Sequence, residues 1–404
     1  MRHTLRLLLA PFLAAHLVFP LLWLVILAQY GPRPNDWRQF YLVAHRFVSG
    51  AWSDLYSVGV AADHVGYFWR YPPFALYAVA PLAALSEPAA YTVLASTELA
   101  ALLASLLLLA RIAPPRHLST EWALAIVLSA PALTTIIAGQ ISALLLLCIT
   151  GAAYLWSRGR PLAACGVLGL LAFKPNVGIF FGYYVLARRN WRGAAAMVAV
   201  VGALCAVTIP LGLDIWIDFV RVSFSNIDMA AAYEPHKLVT LKGFLTVILG
   251  RSQMATVAWM AAVITLLITA AWAWRVHGTP VRHLSLVVLL AIAASPYGFF
   301  YDALLLAFPA TVWWSERNRW RPAPWMVVGV LIAVAWCWEQ AAYNWNEILR
   351  MGGIDWLPPL SLIGPIAAVW LVLAAREATR MDSIHREADG FVHSGARENV
   401  RDSV

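Results

Sequence analysis

Asp36 stands where a long apolar run ends. Residues 7–30 contain no Asp, Glu, Lys or Arg, and "GPRPNDWRQFYLVAHRF" follows directly. A carboxylate at such an edge has two uses. It can N-cap the helix that begins "DWRQFYLVAHRF", or act as a general base that takes a proton from a hydroxyl at the membrane surface. Lys174, in "GLLAFKPNVGIFF", is one of three lysines beside 26 arginines. An ammonium next to a proline break in an apolar run suits either a lipid phosphate, as a point charge, or a buried ion pair. "SPYGFFYDALLLAFP" brings Tyr297, Tyr301 and Asp302 to a second such break. Asp302 can cap the following helix, pair with Lys174, or contact substrate hydroxyls.

Other polar residues join them. "AGQIS" places Gln140 in a tight turn between two apolar runs; turn chemistry accounts for Gly139 but not for Gln140. "WRYPP" supplies Arg70 and Tyr71, the arginine as a headgroup anchor or a phosphate ligand. "EPHKLVTLKG" supplies His236, Lys237 and Lys242, which read first as a solvated loop and otherwise as cations for a phosphate. The expected site thus has Asp36 as base, with Lys174, His236, Lys237 and Arg70 on an anionic group. Tyr71, Gln140, Tyr297, Tyr301 and Asp302 would shape the substrate. The chain has no Asp-x-Asp, no HExxH, no phosphate-cradling glycine loop and no His/Cys pairs at zinc spacing. No metal and no cofactor is expected.

These residues need a membrane scaffold. Of 404 residues, 61% are hydrophobic and 12% charged, with a mean hydropathy of +0.70. Soluble domains carry about twice that share of charge. The class expected is an all-α polytopic membrane protein. Its net charge of +8 comes mostly from arginines between helices, so it speaks to topology and not to a nucleic-acid partner. Arginine clusters recur at Arg2/Arg6, Arg111/Arg116, Arg158/Arg160, Arg188/Arg189/Arg192, Arg275/Arg282, Arg317/Arg319/Arg321 and Arg376/Arg380. Placing every cluster in the cytoplasm takes two crossings per interval, hence about twelve spans and two cytoplasmic termini.

The spans fall near 7–30, 89–111, 120–137, 140–157, 161–173, 175–188, 193–212, 252–276, 283–296, 299–315, 324–342 and 357–375. The run 7–30 is too long for a signal peptide and lacks a small-x-small cleavage site, so it reads as a retained helix. The breaks at "FKPN" and "ASPYGFF" would lie toward the outer side, buried in protein or facing a watery cavity. Outer segments at about 31–88 and 213–251 complete one membrane domain, residues 1–376. The first contains an amphipathic stretch (Trp37, Tyr41, Ala44, Phe47, Val48) and a piece, 74–85, too short to span. Residues 377–404 read as a disordered cytoplasmic tail. Cys148, Cys165, Cys205 and Cys337 lie in apolar runs and read as packing residues.

With these residues in order, the chain resembles glycosyltransferase family 87 of the GT-C superfamily, enzymes that use polyprenyl-phosphate sugars. The resemblance rests on "NDWRQFYLVAHRFVSGAWSDLYS", "YPPFALYAVAPLAAL", "GQISALLLL", "LLAFKPNVGIFFGYYVLARR" and "SPYGFFYDALLL", over roughly residues 30–315. It implies a GT-C-type helical bundle, a catalytic aspartate matching Asp36, a lipid-phosphate sugar donor and an outer-face active site. Two departures stand out. Many members have Asn after Gly-Gln, where this chain has Ser142 two residues on, and the His that some carry near the later Ser-Pro break has no counterpart here, where the chain has Tyr301-Asp302.

The chemistry is consistent from below. Glycoside hydrolysis needs two carboxyls because an alkoxide leaving group must be protonated. A polyprenyl phosphate leaves as a stable anion, so one base and a cation suffice. The expected reaction is inverting transfer of a sugar, mannose-like, to a lipid or glycan acceptor. Arginine-over-lysine usage with abundant alanine points to a GC-rich bacterial genome, which places the protein in the inner membrane with its site facing the periplasm. The alternative is a secondary transporter, whose substrate site lies at discontinuous helices in two corresponding halves; "FKPN" and "ASPY" lie about 120 residues apart.

Overall fold

Proline and glycine divide the apolar chain into short helices, and the divisions determine which polar groups can meet. In a computed structural model, residues 36–52, 55–56, 69–112, 120–233, 238–275, 278–315 and 361–377 are described. The expected helices at 7–30 and 324–342, the tail beyond residue 377, Cys337, His236 and Lys237 lie outside the described residues.

Among the described residues the fold is all helical. In chain order the helices are α1 (Asp36–Val48), α2 (Ala75–Val79), α3 (Glu87–Ile112), α4 (Thr120–Val127), α5 (Ala130–Ala138), α6 (Ser142–Ser157) and α7 (Pro161–Gly169). They continue with α8 (Pro175–Ala187), α9 (Trp191–Ala206), α10 (Asp214–Tyr233), α11 (Leu241–Leu249), α12 (Gln253–Ala273), α13 (Pro280–Ala294), α14 (Ala307–Ser315) and α15 (363–377). Short 3₁₀ turns follow α2, α7 and α9, and Phe300–Leu306 precedes α14. Every expected span within the described residues contains helix. Two helices, α3 and α12, are long and apolar enough to cross a bilayer by length and composition; α4 and α5, bent by 46° at their junction, make a third if they count as one. The remaining apolar helices are shorter, because Pro161, Pro175, Pro280 and Pro296 each start a helix or interrupt one.

Two large apolar clusters organise the described residues. The larger is the helical bundle. At its centre is α13, capped by Thr279 and buried continuously from His283 to Ala294. A helix that is apolar all round must be enclosed by others. The smaller cluster joins α1 and residues 69–85 to Ile215 and Phe219 of α10. The buried face of α1 is Trp37, Phe40, Val43 and Ala44, whereas Val48 is exposed and Tyr41 half-buried. The expected amphipathic stripe is therefore rotated: Phe40 takes the place of Tyr41, because α1 lies on α2 and the "YPP" segment. Phe40 packs on the rings of Trp69 and Tyr71 at 5.5 and 5.1 Å.

Segment 213–251 is not a solvated loop where it is described. Its residues form α10 and α11, and Lys242 is buried, with its ammonium 5.2 Å from the Trp259 ring centroid. The expectation for Lys242 is corrected: capping by Thr240 starts a helix there and turns the lysine into the protein. Cys148, Cys165 and Cys205 are free thiols.

Candidate active site

The site forms where the small cluster meets the bundle, around one turn. Helix α5 ends at Gly139, whose φ of +67° closes the helix in the left-handed conformation while the Gln140 N–H returns to Thr135. A Cβ on Gly139 would sit 2.4 Å from the Cβ of Trp37. Glycine is thus required twice, by the backbone and by the contact that docks α1 on the turn.

That docking brings Asp36, in the first turn of α1, to Gln140. The Gln140 Nε2 donates to Asp36 Oδ2, and the Tyr71 hydroxyl donates to Gln140 Oε1 at 2.8 Å. Tyr71 is positioned in turn through its carbonyl, which accepts the Tyr56 hydroxyl at 2.7 Å. Burial pushes the Tyr71 phenol well above its ordinary range, and the charges of Asp36, Asp302 and Glu98 push it further, against the pull of Arg70. It therefore stays a donor at any working pH. A phenol donating to Oε1 fixes the amide so that its NH₂ faces Asp36.

The two proline breaks meet beside this turn. Lys174 interrupts the apolar run between the 3₁₀ turn Leu170–Phe173 and α8, and its Nζ donates to Asp302 Oδ1. Ser142 Oγ donates to the same oxygen at 2.8 Å, and the Phe299 N–H to Asp302 Oδ2 at 3.1 Å. Asp302, 1% exposed, therefore caps its 3₁₀ helix and pairs with Lys174 at once; both of its oxygens are engaged. Asn176 latches the breaks together, donating to the Tyr297 carbonyl at 2.6 Å and to Ser295 Oγ at 3.0 Å. The Lys174 ammonium also lies 4.9 Å from the Tyr301 ring centroid. Arg70 stacks over Phe299 at 5.4 Å, so it is tied to the second break and not splayed away as an isolated anchor. The Tyr301 phenol lies in the field of both Asp36 and Asp302.

Asp36, Arg70, Tyr71, Gln140, Lys174, Tyr297, Tyr301 and Asp302 thus converge. Ser142 and Asn176 join them, and Glu98 stands behind the turn, outside the site. Ser142 differs from its neighbours only by its hydroxyl and gave no signal beyond its place after Gly-Gln. Asn176 was visible, two residues past Lys174 in the same break. Glu98 had the clearest signal, a carboxylate in the middle of an apolar run; it is buried and accepts the Ala143 N–H at 3.0 Å. Among the described residues no three His, Cys, Asp or Glu side chains form a group that could hold a metal ion.

A family model described as glycosyltransferase family 87 matches residues 69–296, more than half of the chain. The protein belongs to glycosyltransferase family 87. No curated protein and no solved structure matches it. Membership makes it a membrane glycosyltransferase, with a sugar donor and an acceptor, and sets it apart from a secondary transporter. The matched residues include Arg70, Tyr71, Gln140 and Lys174 and stop short of Asp36 and Asp302. The fold of this glycosyltransferase joins those two carboxylates to the matched part through Gln140 and Lys174.

Proposed function

We propose that this glycosyltransferase moves a sugar, mannose-like, from a polyprenyl-phosphate donor to a hydroxyl of a lipid or glycan acceptor, with inversion at the anomeric carbon. The observation that carries this reading is the single turn Gly139–Ser142, which ties Asp36 on one side to the Lys174–Asp302 pair on the other. Asp36 takes the proton of the acceptor hydroxyl as that oxygen attacks the anomeric carbon. The bond from that carbon to the phosphate oxygen breaks, and its electron pair leaves with the polyprenyl phosphate. Lys174 stabilises the departing anion, with Arg70, His236 and Lys237 as further cations. A phosphate leaving group makes a second, acidic carboxyl unnecessary, which agrees with Asp302 being committed to Lys174.

Residues 1–376 form one GT-C-type domain of about twelve spans in a bacterial inner membrane. The site faces the exterior, both termini are cytoplasmic, and residues 377–404 are a tail. The positive-inside distribution of arginines supports this orientation.

The test is transfer from radiolabelled polyprenyl-phosphate-mannose by protein in lipid nanodiscs, with membrane extract as acceptor. Asp36→Asn should lower turnover by about 10²–10⁴-fold, the usual contribution of a general base, with donor binding retained. Wild-type turnover in that variant would exclude Asp36 as the base. Failure of the wild type with every lipid-phosphate sugar would exclude the donor class.

A further inference from the structure

Glu98 is a buried carboxylate that the proposed transfer does not use. It lies on the inward stripe of α3, in line with Ala101, Leu102, Ser105, Leu106 and Leu109, where another apolar residue would continue the packing against α6. Burying an acid there is costly unless its oxygens find donors. The donors are at the start of α6. The residue preceding that helix, Ile141, has no side chain able to cap it, so the first N–H groups of α6 need an acceptor from elsewhere. Glu98 Oε2 takes the Ala143 N–H at 3.0 Å, and the Leu144 amide is a second donor toward the carboxylate.

Three consecutive contacts of one turn are therefore made to three different carboxylates. Gln140 donates to Asp36, Ser142 to Asp302, and Ala143 to Glu98. The first two lie in the site; the third is made by the backbone of the residue that follows.

We infer that Glu98 is a positioning residue for the transfer: by capping α6 from α3, it holds the Gly139–Ala143 turn so that Gln140 and Ser142 keep Asp36 and Asp302 in register. This role rests on the function proposed above. What it requires of residue 98 is an acceptor oxygen, not a charge. Glu98→Gln keeps an acceptor for Ala143 and should transfer at close to the wild-type rate. Glu98→Leu continues the apolar stripe but leaves the α6 N–H groups uncapped. It should lower kcat by about tenfold to a hundredfold, the scale of a small misplacement of reacting groups, with KM for the donor little changed. Glu98→Met, unbranched, serves should the leucine variant not fold.

Hydrogen–deuterium exchange of the peptide covering residues 139–146 reads the hold without catalysis. Exchange should quicken in the apolar variants and return to wild type in Glu98→Gln. An apolar variant with wild-type kcat, or with unchanged exchange over 139–146, overturns the inference. So does a glutamine variant as impaired as the leucine one. A wild type that transfers no sugar would instead indict the proposed function, and the exchange measurement would still decide whether Glu98 holds the turn.

Discussion

The Lys174–Asp302 pair is the most constrained charged contact of the site. Lys174 is 7% exposed and Asp302 1%, and each has the other as its counter-charge. Taking one partner from a buried pair leaves an uncompensated charge, at a cost of about 3–5 kcal/mol, whereas replacing both with apolar residues costs far less. Lys174→Met and Asp302→Asn should each lower stability by about that amount, measured by denaturation in detergent. Lys174→Met combined with Asp302→Leu should regain most of it, yet transfer poorly, since the ammonium proposed to meet the departing phosphate is gone. Additive losses in the double variant would mean that the two side chains do not depend on each other. Asp36 is oriented differently, by the Gln140 amide that the Tyr71 hydroxyl in turn holds.

At the scale of elements, the site depends on how α1 docks. The short helix carries Asp36 at its first turn and buries Trp37, Phe40 and Ala44. The contact of Trp37 with Gly139 sets how far Asp36 lies from Gln140. Gly139→Ala places a methyl 2.4 Å from the Trp37 Cβ, at a backbone angle that disfavours any side chain. It should destabilise the protein by about 1–3 kcal/mol and reduce turnover more than donor affinity, as α1 shifts from the turn. Thermal unfolding and the nanodisc transfer assay together check this. A variant with wild-type turnover would show that Asp36 acts without the α1–turn contact. Helix α8 behaves similarly at the other side: Gly178 lies where a Cβ would be 2.7 Å from the Leu171 carbonyl oxygen, so the chain can fold back sharply at Lys174.

The whole molecule raises the question of sidedness. Helix α6 runs from the site turn to Ser157, beside Arg158 and Arg160, a rise of about 24 Å at 1.5 Å per residue. In the proposed topology its two ends face opposite sides of the membrane. Ser49, exposed just past α1, belongs to the site side, and Ser157 is exposed at the arginine side. In a background with the four native cysteines replaced, Ser49→Cys should react with an impermeant maleimide added outside intact cells. Ser157→Cys should react only after permeabilisation. The reverse pattern would place the site in the cytoplasm and remove the case for an outer-face donor.

The sequence by itself determined the class of the protein and its family. Apolar runs of membrane length, arginines between them and the order of five short motifs are local properties of the chain, legible without a fold. Proline at 175 and 296 announced the breaks, and Lys174 and Asp36 stood out because charge is expensive beside hydrocarbon. The tertiary structure decided which of these groups act on each other. Asp302 had three uses open to it, and only the meeting of two breaks about 120 residues apart engaged it with Lys174, Ser142 and its own helix. Lys242 looked solvated until Thr240 started a helix that buried it. Glu98 and Asp36 touch the same turn because residues 139–143 pass between them. Local pattern records what each residue costs to bury. Which partner offsets that cost is a matter of long-range packing, which no spacing along the chain encodes.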